Sequence, residues 1–183
     1  FFAVRLATRS HPVPYSESQV KVHDTVRVFR NSFGIPHIIG RSIDDVVFAQ
    51  GYTHAQDRLW QMDVWRRTGR GRLAEVLGPK LVHVDAFMRA IDIAGIVQAN
   101  VKQIDPTSRK LMQAYSNGVN AYLRENDGNL PFEFDALEYT PEPWTVEDCL
   151  VVGRTMAFEV SLAFWTDIVY AQIAFQRGVD SYR

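Results

Sequence analysis

The chain has 183 residues, enough for one domain of ordinary size. Hydrophobic residues make up 46%, aromatics 12% and charged residues 22%, values of a globular protein that argue against disordered, collagen-like and coiled-coil classes. Twenty Lys and Arg against 21 Asp and Glu leave a net charge of -1, too balanced to point to bulk nucleic acid as a partner.

Residues 1–19 read as an extended leader, with Pro12 and Pro14 among several hydroxyl side chains. Phe1, standing where an initiator Met would, is the expected start of a processed product. A hairpin is expected over 20–40. Val20, Val22, Val26 and Val28 alternate with polar positions, Asn31 to Gly34 supply turn chemistry, and Ile35 to Gly40 resume as a second strand that Pro36 confines to an edge or a strand start.

The region 42–177 reads as helical. Ser42 is the expected N-cap, with Asp44 and Asp45 at the positive end of a long helix running to about Thr68. Gly69, Gly71 and Gly78-Pro79 leave one or two turns over 72–77, and a further helix is expected from Val84 to Gln103. Asp105-Pro106 is an N-cap followed by Pro at the first helical position, which starts a helix to about Glu125. Residues 129–143 form a loop whose Phe132, Phe134, Leu137 and Tyr139 should pack onto something. Thr145 with Asp148 resembles a capping box, and the helix it opens runs past a break near Ser161 to Gln176. The layout is α+β and mainly helical. A lone hairpin is marginal in water, so its apolar residues imply a larger sheet to which it belongs.

Few residues carry obvious chemistry. No Ser sits in a Gly-X-Ser-X-Gly elbow. The single cysteine, Cys149, excludes an internal disulfide and reads as a small buried residue. The histidines lack the spacing of a zinc helix, and His37 is a structural hydrogen-bonding residue rather than a base. Arg66, Arg67, Arg70 and Arg72 fit internal pairing with Asp57, Asp63 and Glu75 better than a phosphate cradle, and Asp57-Arg58 reads as a buried polar network. No run approaches the ~18 apolar residues of a membrane span.

An ordered set of motifs resembles the penicillin acylase family over about residues 20–177. It comprises Val26 to Ile38 with Asn31-Ser32-Phe33-Gly34-Ile35-Pro36-His37, then Ala49 to Met62, Arg66-Arg67 and Gly71 to Gly78. Tyr115 to Tyr122, Tyr139-Thr140-Pro141-Glu142-Pro143-Trp144 and Gly153-Arg154-Thr155-Met156-Ala157 complete it. The resemblance implies the α-subunit of a self-processed N-terminal-nucleophile amidohydrolase, whose hairpin completes an αββα sandwich with a β-subunit from the same precursor. The nucleophile would be the N-terminal Ser of that β-chain, so no catalytic residue is expected in this chain.

The implied substrate is a small N-acyl amide, a penicillin-type β-lactam or an N-acyl-homoserine lactone. The family pattern Thr-Met-Ala-Asn-Arg-Phe becomes Thr155-Met156-Ala157-Phe158-Glu159-Val160 here. Met156, Phe158, Glu159 and Val160 are the implied substrate-binding positions, Phe158 being the aromatic gate if the alignment shifts by one or two residues. Leu162 and Phe164 would stand nearby. A structural Ca2+ is implied, with Asp167 as its ligand, and no organic cofactor; the compartment is the periplasm or outside the cell. The alternative is a non-catalytic helical binding module, which would be monomeric and folded without a partner.

Overall fold

A computed structural model describes residues 17–20, 24–161 and 163–178. Three short strands open it, β1 (Glu17–Val20), β2 (Val26–Arg30) and β3 (Pro36–Ile39), antiparallel in the order β1-β2-β3. The expected hairpin is β2 with β3, and Pro36 does begin an edge strand. Its N-terminal half differs from the expectation: Val20 and Val26 belong to two different strands, and Val22 lies outside the described residues. The chain reverses between Val20 and Val26, which face each other, and β1 begins at Glu17, inside the expected leader. Period-2 alternation looks the same across a tight reversal as along a straight strand, which is why the sequence did not separate the two.

Val26 and Val28 of β2 point to one side, with Ile38 beside them, and are buried against Ala49. The other side carries Phe29 stacked on His37, ring centroids 4.9 Å apart, and Ile39 opposite Arg27. His37 Nε2 also lies 3.3 Å from Asn31 Nδ2. The turn is built by Asn31, whose Oδ1 accepts from the N–H of Phe33 and of Ile35, and by Gly34 at φ 76°.

A long helix, α1 (Ile43–Arg70), follows. Ser42 is its N-cap residue, but the hydroxyl makes no capping bond. The acidic first turn is as expected, and the Asp45 carboxylate accepts instead from the N–H of Asp24. A kink at Arg58 (φ -141°, ψ 19°) bends α1. Arg58 itself is exposed and Asp57 about one-third so, which corrects the expected buried network there. Asp57 pairs with Arg30 of β2 at 2.6 Å, and Arg30 also donates to Gln56 Oε1 and the Gly34 carbonyl. One arginine thus ties the sheet to the helix.

Beyond Gly71, the left-handed C-cap of α1, come α2 (Ala74–Leu77), a 3-10 turn Pro79–Leu81, α3 (Val82–Ile91), α4 (Ile93–Asn100) and a second 3-10 turn Val101–Gln103. The single helix expected over 84–103 is broken at Asp92, which takes the left-handed conformation (φ 59°) and accepts from the Gly95 N–H. Asp tolerates that region better than most residues because its short side chain bonds the local backbone. Asp85 of α3 accepts from the N–H of Leu73 and Ala74, anchoring the start of α2.

Helix α5 (Pro106–Glu125) starts as its sequence requires, with Asp105 Oδ1 accepting from the Ser108 N–H at 2.9 Å. It crosses α1 at two glycines. A Cβ placed on Gly51 would stand 2.1 Å from the Tyr115 carbonyl oxygen, and one on Gly118 1.9 Å from that of Phe48. Ala55, Leu59, Val119 and Tyr122 then form a core with Leu130, Phe134 and Trp144. The expected loop 129–143 contains a short helix, α6 (Phe132–Ala136); Phe134 is buried and Trp60 and Tyr139 meet it as expected, whereas Leu137, expected to pack as well, is exposed.

Two further helices follow, α7 (Val146–Glu159) and α8 (Ala163–Arg177). The Thr145–Asp148 capping box is present in both directions. No helix among the described residues is long and apolar enough to cross a membrane.

Candidate substrate-binding site

The N-terminal turn of α7 is held in place by the arginines of α1. Asp63 is buried and accepts on Oδ1 from Arg66, and on Oδ2 from Arg67 Nε at 2.8 Å and the Tyr139 hydroxyl at 2.7 Å. Asp148, also buried, accepts on Oδ1 from Arg70 at 2.8 Å and lies 3.5 Å from Arg66 through Oδ2, the oxygen that also accepts from Thr145. Arg66 bridges these two carboxylates, donates to the Glu142 carbonyl and lies over the Trp144 ring. Burial alone would raise the Asp63 pKa. The charge of Arg66 and the bonds from Tyr139, Arg66 and Arg67 outweigh it and hold the carboxyl below its ordinary value.

Asp63 and Glu75 are therefore partners of this arginine cluster, as the sequence suggests, and Asp57 is not: it pairs with Arg30 of the sheet. The missed members are Glu142, which pairs with Arg72 at 2.9 Å, and Asp148, 78 residues from Arg70. The capping role of Asp148 was legible; its ion pairs depended on how α7 docks.

The same docking is tight one turn further along. A Cβ on Gly69 would meet Thr155 Oγ1 at 2.2 Å and Val151 Cγ1 at 2.6 Å, so α7 lies flush on α1 there. With Thr155, Val151 and Asp148 turned inward, the helical period places Gly153, Met156, Ala157 and Val160 on the outer side. All four are exposed, Met156 by 51% and Val160 by 77%. They form an apolar strip that nothing in the described structure covers. A Cβ on Gly153 would touch nothing.

The positions expected to bind substrate do not share one surface. Met156 and Val160 stand together on this strip. Glu159 is exposed at its margin, roughly 60° around the helix from Met156. Phe158 points away, roughly 160° from Met156, and packs half-buried against Phe87 of α3 at 6.3 Å. Trp165 of α8 stacks on the same Phe87, centroids 5.9 Å apart. Gly153 and Ala157 were not singled out from the sequence, although their spacing from Met156 and Val160 marks one helix face. Leu162 and the Phe164 side chain lie outside the described residues.

Asp167 is exposed on α8, and its carboxylate is a hard oxygen donor of the kind Ca2+ takes. Among the described residues no group of three or more His, Cys, Asp or Glu is arranged to hold a metal ion. Cys149 is half-buried; burial raises its thiol pKa, and the Trp144 indole donates to its sulfur at 3.3 Å, the environment of a structural thiol. His54 bonds the Tyr115 hydroxyl through Nδ1 at 2.9 Å, and burial lowers its pKa.

Residues 25–183 match the sequence profile of the family described as penicillin amidase. Over 155 residues the chain is 34% identical to the acyl-homoserine lactone acylase QuiP of Pseudomonas aeruginosa, covering 85% of this chain and 18% of that protein. It is 36% identical to the penicillin acylase 2 proenzyme of Pseudomonas sp. SE83 (72% and 17%), and 31% identical to the penicillin G acylase of Escherichia coli (72% and 16%). The chain thus spans less than a fifth of these curated relatives' length. A solved structure of the thermostable penicillin G acylase from Alcaligenes faecalis superposes with a TM-score of 0.68 at 30% identity, covering 86% of each chain. With a profile match across most of its length and a matching fold, the chain belongs to the penicillin amidase family.

Proposed function

We propose that this chain is the α-subunit of a self-processed acylase that cleaves the amide of an N-acyl substrate, and that the outer strip of α7 forms part of the acyl pocket. The observation that carries the reading is that strip: Gly153, Met156, Ala157 and Val160 stand exposed on a helix whose opposite face is fixed by buried ion pairs and by the Gly69–Thr155 contact. An apolar surface so rigidly backed suits an acyl chain. The relatives include acylases of homoserine lactones and of penicillins, and the matched solved chain is of similar length to this one.

Catalysis in this reading belongs to the β-subunit. The hydroxyl of its N-terminal Ser attacks the amide carbonyl while its α-amino group takes the proton, the amine departs, and water releases the acid from the acyl-enzyme. The sheet supports such a partner, since Phe33 (83%) and Ile35 (54%) of the turn and Ile39 (50%) of the edge strand β3 are exposed. Phe175 of α8 is a second exposed apolar side chain, at 94%. The two subunits would together complete the αββα sandwich and act in the periplasm or outside the cell.

A panel of N-acyl amides of increasing chain length, offered to the processed two-chain enzyme, tests the reading. Cleavage of at least one series is expected, with Met156→Ala shifting the preferred chain by about two carbons or more at a loss of roughly tenfold in kcat/KM on the native optimum. No cleavage by processed enzyme overturns the function, and an unchanged length profile in the variant removes Met156 from the pocket.

Asp167 is proposed as one ligand of a structural Ca2+ whose other ligands come from outside this chain. Elemental analysis of the dialysed enzyme is expected to find calcium in the wild type and at least a tenfold reduction in Asp167→Asn. Equal contents exclude Asp167 as a ligand.

A further inference from the structure

We infer that Met156 is an oxidation site: a peroxide converts its thioether to the sulfoxide, which makes the outer strip of α7 polar and turns the site away from long acyl chains. The modification itself rests on exposure and helix geometry. Its effect on selectivity rests on the reading of that strip as part of the acyl pocket.

The chain has four methionines. Met88 is 3% exposed, in the core with Ile93 and Val151, and Met62 and Met112 are half-buried, whereas Met156 is 51% exposed. Helical side chains lean toward the N-terminus, so that of Met156 lies over the turn that begins at Gly153. That position has no side chain to shield the sulfur, and a Cβ added there would touch nothing. Thr155, fully buried against Gly69, fixes the rotation of α7 and so keeps Met156 outward. A partner subunit that leaves the strip open to an acyl chain leaves it open to the smaller peroxide. A thioether needs no deprotonation to react. A sulfur lone pair attacks one peroxide oxygen, the O–O bond breaks, an S–O bond forms, and the departing hydroxide takes up the remaining proton and leaves as water. Sulfur is oxidised by two electrons and the peroxide reduced by two. Cys149 does not compete, because it is half-buried and its burial keeps the thiol protonated. The sulfoxide oxygen is a strong acceptor that a hydrocarbon chain cannot satisfy, so a long acyl group laid over it leaves it desolvated and unpaired. Acyl groups too short to cover it lose less.

The experiment treats processed two-chain enzyme with dilute hydrogen peroxide, maps the added oxygen by peptide mass spectrometry, and measures kcat/KM on N-acyl amides of increasing chain length. Met156 is expected to oxidise about fivefold faster or more than Met62, Met88 and Met112. Cleavage of the longest accepted chain should fall roughly tenfold and that of the shortest less than about threefold. Methionine sulfoxide reductases for both epimers, supplied with dithiothreitol, should restore the profile. Met156→Leu, compared with its own untreated sample, should keep its profile under peroxide. If Met156 oxidises no faster than Met88, or oxidises without a change in profile, the inference falls and the acylase reading stands. If the untreated enzyme cleaves no N-acyl amide, the acylase reading falls and takes the effect on selectivity with it, while the peptide map still decides whether Met156 is the oxidation site.

Discussion

Asp63→Asn is expected to destabilise the protein by about 3–5 kcal/mol, the usual effect of removing one partner from a buried ion pair. Asparagine keeps the shape but supplies one neutral acceptor where Asp63 now accepts from Arg66, Arg67 and Tyr139. Its amide N–H groups would face donors, and two guanidinium groups, each less than a tenth exposed, would lose their shared counter-charge. The pH dependence has a definite sign. The folded-state pKa of Asp63 is depressed, so its contribution is complete above the ordinary carboxylate value near 4 and is lost as pH falls through the lower folded value. Denaturant midpoints of wild type and variant at pH 7 and pH 3 check both points: the gap should be wide at pH 7 and narrower at pH 3. An equal gap at both values would remove Asp63 from the acid response.

Gly118→Ala is expected to cost about 3 kcal/mol or more, against the local preference of a helix. Alanine in a helix interior normally gains about 1 kcal/mol over glycine. Here the new methyl would stand 1.9 Å from the carbonyl oxygen of Phe48, a backbone atom that cannot rotate away, and α1 and α5 would have to part. Gly51, packed just as closely on the Tyr115 carbonyl, should behave alike. Gly153→Ala supplies the contrast: its Cβ meets nothing, so the propensity gain should appear as a rise of up to ~1 kcal/mol. Denaturant midpoints of the variants check the opposite signs. A neutral Gly118→Ala would mean that the two helices tolerate a wider crossing.

What could be read from the sequence was local. Asp105 with Pro106 and Thr145 with Asp148 set helix starts through bonds that span three residues, and both are made. The arginine cluster was legible as internal pairing because its charges balance nearby carboxylates. Assignment of partners was not: Arg30 reaches Asp57 across 27 residues and Arg70 reaches Asp148 across 78, distances over which only the tertiary fold decides. Asp92 was hidden because a left-handed aspartate leaves no hydrophobic mark, and β1 because its valine continues the alternation of β2. At the candidate site, the resemblance pointed to the α7 segment and treated Met156 and Phe158 as neighbours; the helical period turns them to opposite sides.

The seating of Cys149 has a practical consequence. It is the only thiol in the chain, close to Ser116 of α5 at 3.6 Å and bonded by Trp144. Burial keeps it protonated at neutral pH, so alkylating reagents meet little thiolate in the native state. Its labelling rate becomes an internal clock for separation of α5 from α7. The frequency with which the scaffold behind the exposed apolar strip of α7 comes apart can be timed without adding any probe.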